Sequence, residues 1–195
     1  QPHRLRTFKR SRDPAFAAKV EDVVGLYMAP PAHAVVLSID EKSQIQALER
    51  TRPDRPPAPG HPAAQTHDYT RHGTTTLFAA LSMAEGKLIG TCMQRHRHQE
   101  WLKFLKLIDA QTPQELDLHL IVDNYATHKH AKVLNWLKRH KRFHIHFIPT
   151  SSSWLNVIER WFRDITHNRI RNGVFQSVEQ LQLAIKQYID YHNAN

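Results

Sequence analysis

Residues 116–128, LDLHLIVDNYATH, pass straight from aliphatic residues into a polar turn. A short run of this kind reads as a strand buried on both faces, with Asp123 at its end. AVVLSID (34–40) has the same form and also ends on an acid, Asp40. If the two strands lie side by side and parallel, both carboxylates emerge at the carboxyl edge of the sheet, where open α/β sheets hold their ligands. Glu41, one residue further on, would then point to the opposite face. Taken singly, either Asp is as well explained as a turn former or a helix cap.

Outward from these strands the pattern alternates. Asp13 and Pro14 open a helix as cap and first helical residue, with Phe16, Val20, Val23, Val24 and Tyr27 on its apolar face and Pro30-Pro31 as its stop. SQIQALE (43–49) is expected to return as the hairpin partner of 34–40. Residues 51–73 hold five of the 11 prolines and read as a loop or flap with no regular element. GTTTLFAALSM (73–83) and KLIGTCMQ (87–94) make a further hairpin. Trp101, Leu102, Leu105 and Ile108 mark a helix that ends before Pro113. A helix over 129–140, a strand over 143–148, a helix from about Ser153 and a last helix over 178–191 follow. The expected fold class is α/β, a mixed sheet flanked by helices on both faces. At 195 residues the chain suits one domain with appendages. Residues 1–30 read as a basic linker arm and lead-in helix, and 31–195 as the domain proper with the flap inserted.

The third acid of interest is Glu159, in SSSWLNVIERWFRDITHNRIR (151–171). Trp154, Ile158, Trp161, Phe162 and Ile165 recur at helical spacing and are expected to pack on the sheet, with Glu159 at the edge of that face. The simplest role for Glu159 is an i, i+4 pair with Arg163, worth about 0.2–0.5 kcal/mol. Asn156, Arg160, Arg163, His167 and Arg171 form a second stripe roughly opposite the apolar one. Three carboxylates meeting at one sheet edge would repel one another unless cations neutralised them. Hard divalent ions with oxygen ligands do this, and two of them can serve phosphodiester cleavage.

Composition points the same way. The formal charge is +9 with all 15 histidines neutral, so a polyanionic partner is the natural inference. The longest apolar runs, Ala34–Leu37 and Leu77–Leu81, fall far short of the roughly 18 residues that span a membrane. No apolar signal segment follows the basic start. A single Cys92 can form no internal disulfide, which fits a reducing cytosol, and it reads as a small strand residue. Arg4, Arg6 and Lys9 of the amino-terminal arm could track a nucleic-acid backbone or belong to a solvated linker. His128 could touch a phosphate or cap a helix. The His-x-His pairs at 96/98 and 144/146 lack the Cys or acid that would complete a zinc set.

The segments IDEKSQIQALERT, HDYTRHGTTTLFAAL, VDNYATHK and SSSWLNVIERWF, in that order, closely resemble the DDE transposases of the bacterial insertion-sequence branch of the mariner superfamily. The likeness runs over nearly the whole chain, and residues 124–158 between Asp123 and Glu159 match the short interval typical of that group. It implies a ribonuclease-H-like fold in which Asp40, Asp123 and Glu159 form the catalytic triad and hold two Mg²⁺ or Mn²⁺ ions. It implies cut-and-paste transposition of double-stranded DNA, with strand cleavage followed by strand transfer into TA dinucleotides. The flap would act as a dimer clamp, giving a homodimer on DNA in a bacterial, nucleoid-associated setting. A helix-turn-helix region reading the transposon ends is expected ahead of Gln1, and a short tail beyond Asn195. Arg160, Arg163, His167, Arg171, Arg4, Arg6, Lys9 and His128 are the candidate DNA contacts. The rival reading is a catalytically idle remnant kept for DNA binding or assembly.

Overall fold

The computed structural model describes residues 11–52, 55–63, 66 and 68–195. Arg4, Arg6 and Lys9 lie outside the described residues. Helix α1 (Phe16–Met28) precedes β1 (Ala34–Arg50), β2 (Tyr69–Ser82) and β3 (Leu88–Met93); α2 (His98–Gln111), β4 (Asp117–Val122), α3 (Ala131–Leu137) and β5 (Phe143–Phe147) follow, then α4 (Ile158–Ile165) and α5 (Val178–Ala194). The strands form one sheet in the order β3-β2-β1-β4-β5. β1 pairs antiparallel with β2 and parallel with β4, and β4 pairs parallel with β5. The two runs that end on Asp40 and Asp123 are therefore parallel neighbours at the centre of the sheet.

Period-two alternation assigns the faces. Leu37 and Ile39 of β1 join Leu118, Leu120 and Val122 of β4 under α2 and α3, around Trp101, Phe104 and Trp136. Val36 and Ile121 point the other way, to Val23 and Leu26 of α1. On that same side Leu77 and Ala79 of β2 pack against α4 and α5 through Trp161, Phe162 and Ile185. Helices thus cover both faces of a mixed sheet, as the sequence pattern predicts. Residue 40 belongs to the α4 side and residue 41 to the α2 side.

Three sequence expectations are corrected. SQIQALE does not fold back on AVVLSID; β1 runs on through it, and β2 pairs with both halves, from Leu37↔Ser82 to Arg50↔Tyr69. Polar Glu41, Lys42 and Ser43 mimic a turn in the sequence, but the chain absorbs an extra residue there. The register shifts between Lys42 and Ile45, and Gln44 takes a left-handed φ of 53°. Such a bulge lets Ile45 and Ala47 rejoin the α4/α5 core on the side of Asp40. The flap is shorter than 51–73, because β2 already begins at Tyr69. On α1, Val23 and Leu26 carry the burial, while Phe16 and Val24 are exposed. Cys92 lies half-buried in β3, where burial pushes its thiol up to about 11.

Candidate active site

Asp40 lies within β1 just ahead of the bulge, and the start of α4 is tied to it by buried polar groups. The Ser38 hydroxyl donates to Asn156 Oδ1 and accepts from the Ile158 N–H at 3.0 Å. Asn156 Nδ2 donates to the Ile39 carbonyl at 2.9 Å and reaches Asp40 Oδ2 at 3.4 Å. From the α1 side, the Tyr27 hydroxyl donates to the Leu155 carbonyl at 2.8 Å. These bonds fix the first turn of α4 against β1, and Glu159 is the second residue of that helix. Asn156 is only 2% exposed, so it does not belong to the solvent-facing stripe expected of it. The helical spacing on which that stripe rests fails locally. Residues 153–155 form a 3-10 turn, Asn156 is extended, and α4 begins at Ile158. For the same reason Trp154 does not pack on the sheet, and is 69% exposed.

Asp123 follows β4 and is held in two ways. Its Oδ1 accepts the Tyr125 N–H at 2.9 Å and lies 3.2 Å from Nδ1 of His128. The other ring nitrogen of His128 lies 3.0 Å from Glu41 Oε1. The side chains of His128 and Glu41 are 2% and 7% exposed, and the Trp101 ring packs on His128 with centroids 4.2 Å apart. Both ring nitrogens face acceptor oxygens, so the ring carries both protons. Burial alone would lower its pKa, but the hydrogen bonds to Asp123 and Glu41 and the charge of Glu41 outweigh it and push the pKa up to about 10. Burial would raise Asp123, yet His128, the Tyr125 N–H and Lys129 hold its carboxyl below the usual value. His128 therefore presents no free nitrogen to a DNA phosphate, which corrects that expectation. It bridges the two faces of the sheet edge, from Glu41 on one to Asp123 on the other.

Asp40 is the opposite case. Burial raises its pKa, and the neighbouring charges of Glu41, Asp123 and Glu159 raise it further, while the Glu41 N–H lowers it; the result is about 7. The three predicted acids share one edge and one electrostatic field. They do not form a ready-made ligand set: among the described residues no group of three His, Cys, Asp or Glu side chains is arranged to hold a metal ion. No ion pair joins Glu159 to Arg163 among the described residues, so the simple pairing does not account for Glu159 either.

Beside the acids lies a basic surface. One hollow is lined by Trp154, Asn156, Glu159, Arg160 and Arg163, and the next by Lys42, Glu159, Arg163, His167 and Arg171. Although α4 gives way to a π-helical turn over Thr166–Ile170, His167 and Arg171 still join Arg163 along this groove.

Residues 35–182 match the family model of the DDE superfamily endonucleases. The chain belongs to that family. Its fold is ribonuclease-H-like, and the matched stretch spans all three acids. A curated relative, an uncharacterized 39 kDa protein of insertion element IS630 from Shigella sonnei, is 29% identical over 90 residues, or 46% of this chain and 26% of the relative. Among solved structures, the Mos1 mariner paired-end complex with Mn superposes with a TM-score of 0.64 at 16% identity, covering 97% of this chain and 56% of that one. The Mos1 transposase paired-end complex with left transposon end gives 0.62 at 15% identity, covering 98% and 60%. The chain thus spans less than two thirds of each relative's length.

Sequence reasoning singles out Asp40, Asp123 and Glu159 but misses the residues that hold them in place. Glu41 is set aside by the alternation rule, although the other side of the edge is where His128 waits. Ser38 gives one signal, a polar residue inside an otherwise apolar strand.

Proposed function

We propose that this chain is the catalytic domain of a DDE transposase that cleaves and rejoins DNA, with Asp40, Asp123 and Glu159 holding two Mg²⁺ or Mn²⁺ ions. One observation carries the reading: Asp40 is buried and flanked by the charges of Glu41, Asp123 and Glu159, which together raise its pKa to about 7, beside a groove of exposed arginines. A buried carboxylate such as Asp40 with like charges around it favours protonation or a bound metal, and oxygen-only donors suit hard divalent ions. Such ions, when bound, would activate an attacking oxygen and stabilise the leaving oxygen at a phosphodiester. The chain's own residues do the rest. Asn156 and Ser38 hold Asp40 against the start of α4. His128, itself held by Glu41, orients Asp123 and keeps it ionised. Arg160, Arg163, His167 and Arg171 would contact the phosphates of double-stranded DNA, both transposon ends and target. A homodimer on DNA in a bacterial, nucleoid-associated setting belongs to the same proposal.

The test is nicking of supercoiled plasmid by the purified chain with Mg²⁺ or Mn²⁺. Asp40→Ala, Asp123→Ala and Glu159→Ala should each abolish nicking while leaving DNA affinity within twofold. Parent protein that binds DNA but never nicks it supports the idle-remnant reading. A Glu159→Ala variant as active as the parent removes Glu159 from the triad.

A further inference from the structure

Four tryptophans occur in the chain, and Trp101, Trp136 and Trp161 are buried. Trp154 is 69% exposed, and the structure holds it there. The Ser152 N–H donates to the Pro149 carbonyl at 3.2 Å, the Leu155 N–H to the Ser152 carbonyl at 3.0 Å and the Asn156 N–H to the Ser153 carbonyl at 2.8 Å. Ser152, Leu155 and Asn156 are all buried, so the turn is anchored on both sides of the indole. An aromatic side chain displayed on a rigid turn loses little conformational entropy when it binds.

Its position narrows the ligand. Trp154 lines the hollow of Glu159, Arg160 and Arg163. Ser153, its neighbour, also lines the adjoining hollow, which holds Asp123 and a second exposed aromatic, Tyr125. Aromatic platforms beside a cationic groove are the combination that binds single-stranded nucleic acid, with bases on the rings and phosphates on the arginines. A fully paired duplex keeps its bases stacked internally and offers no free face to an indole.

We propose that Trp154 is a stacking platform for an unpaired nucleotide of the DNA next to the acidic site. The proposal rests on the transposase reading for the identity of the strand, and its measurement needs no catalysis. Binding of a fluorescent single-stranded oligonucleotide, a blunt duplex and a duplex carrying one unpaired nucleotide is followed by anisotropy in EDTA. Trp154→Ala should weaken the single strand and the unpaired-nucleotide duplex by about 5- to 150-fold, the range for one base–aromatic stack. Blunt-duplex affinity should stay within twofold, Trp154→Phe should keep most of the binding, and the salt slope should be unchanged because no phosphate contact is lost. Parent tryptophan emission should be quenched by the oligonucleotide, and that quenching should vanish in Trp154→Ala. Equal affinity of parent and Trp154→Ala for single strands overturns the proposal, as does an equal loss on all three DNAs. A Trp154→Ala variant that loses self-association without DNA, with single-strand affinity intact, assigns the indole to a protein interface and also overturns it. The Asp40→Ala variant, assayed in parallel, should retain the stacking signature. If the parent never nicks DNA yet shows that signature, the catalytic reading fails and the stacking site stands.

Discussion

Removing the imidazole of His128 tests the link between the two faces of the sheet edge. In His128→Ala, the Glu41 carboxylate, 7% exposed, loses the cation 3.0 Å away, and Asp123 loses its neighbour at 3.2 Å. A cavity opens against Trp101 as well. Breaking a buried ion pair from one side costs about 3–5 kcal/mol, because the remaining charge stays buried. Against a total stability of about 5–15 kcal/mol, that loss is large. Urea unfolding at pH 7 should show the midpoint falling with the slope unchanged. The double variant Glu41→Leu, His128→Leu should recover much of the loss, since no buried charge then remains. The pH dependence has a definite sign. The folded pKa of His128, about 10, lies above its ordinary value of 6.5, so the folded protein binds the extra proton. The pair's contribution is complete below pH 6.5 and is lost as pH rises toward 10. A loss below about 1 kcal/mol, the range of an exposed pair, would refute the reasoning, as would a contribution that grows with alkaline pH.

Three further outcomes follow from the same geometry. Asp40 binds a proton between its ordinary 3.8 and about 7, so stability should fall as pH rises through that window; Mg²⁺ or Mn²⁺ should then raise the melting temperature more at pH 8 than at pH 5.5, and no shift at either pH would count against metal binding there. Asn156→Ala leaves the Ser38 hydroxyl and Ile39 carbonyl without their buried partner, which should cost about 1–3 kcal/mol and speed hydrogen exchange at the start of α4; protection equal to the parent's would show that the tie to β1 does not hold that helix. Replacing Arg160, Arg163 and Arg171 together should flatten the plot of log affinity against log salt by about 0.9 per lost phosphate contact on duplex DNA; an unchanged slope would return the groove to a merely solvated surface.

Local pattern made much of this molecule readable from its sequence alone. The apolar runs ending at Asp40 and Asp123 are strands, because continuous aliphatic residues must be buried on both faces. The helices packed on them follow from apolar spacing, and the charge of +9 points to a polyanion. Tertiary structure decided the rest. A polar stretch at 41–43 signals a turn equally well whether the chain reverses or bulges, and only pairing with β2 across both halves of β1 selects the bulge. Helical spacing placed Trp154 inside and Asn156 outside, and both are reversed because the helix starts only at Ile158. That start is fixed by Ser38, 118 residues away from Asn156 in sequence. Glu41 and His128 are separated by 87 residues. Neither can mark the other through any local period; they meet because β4 ends beside the middle of its parallel neighbour β1, and the low dielectric there makes their charges need one another.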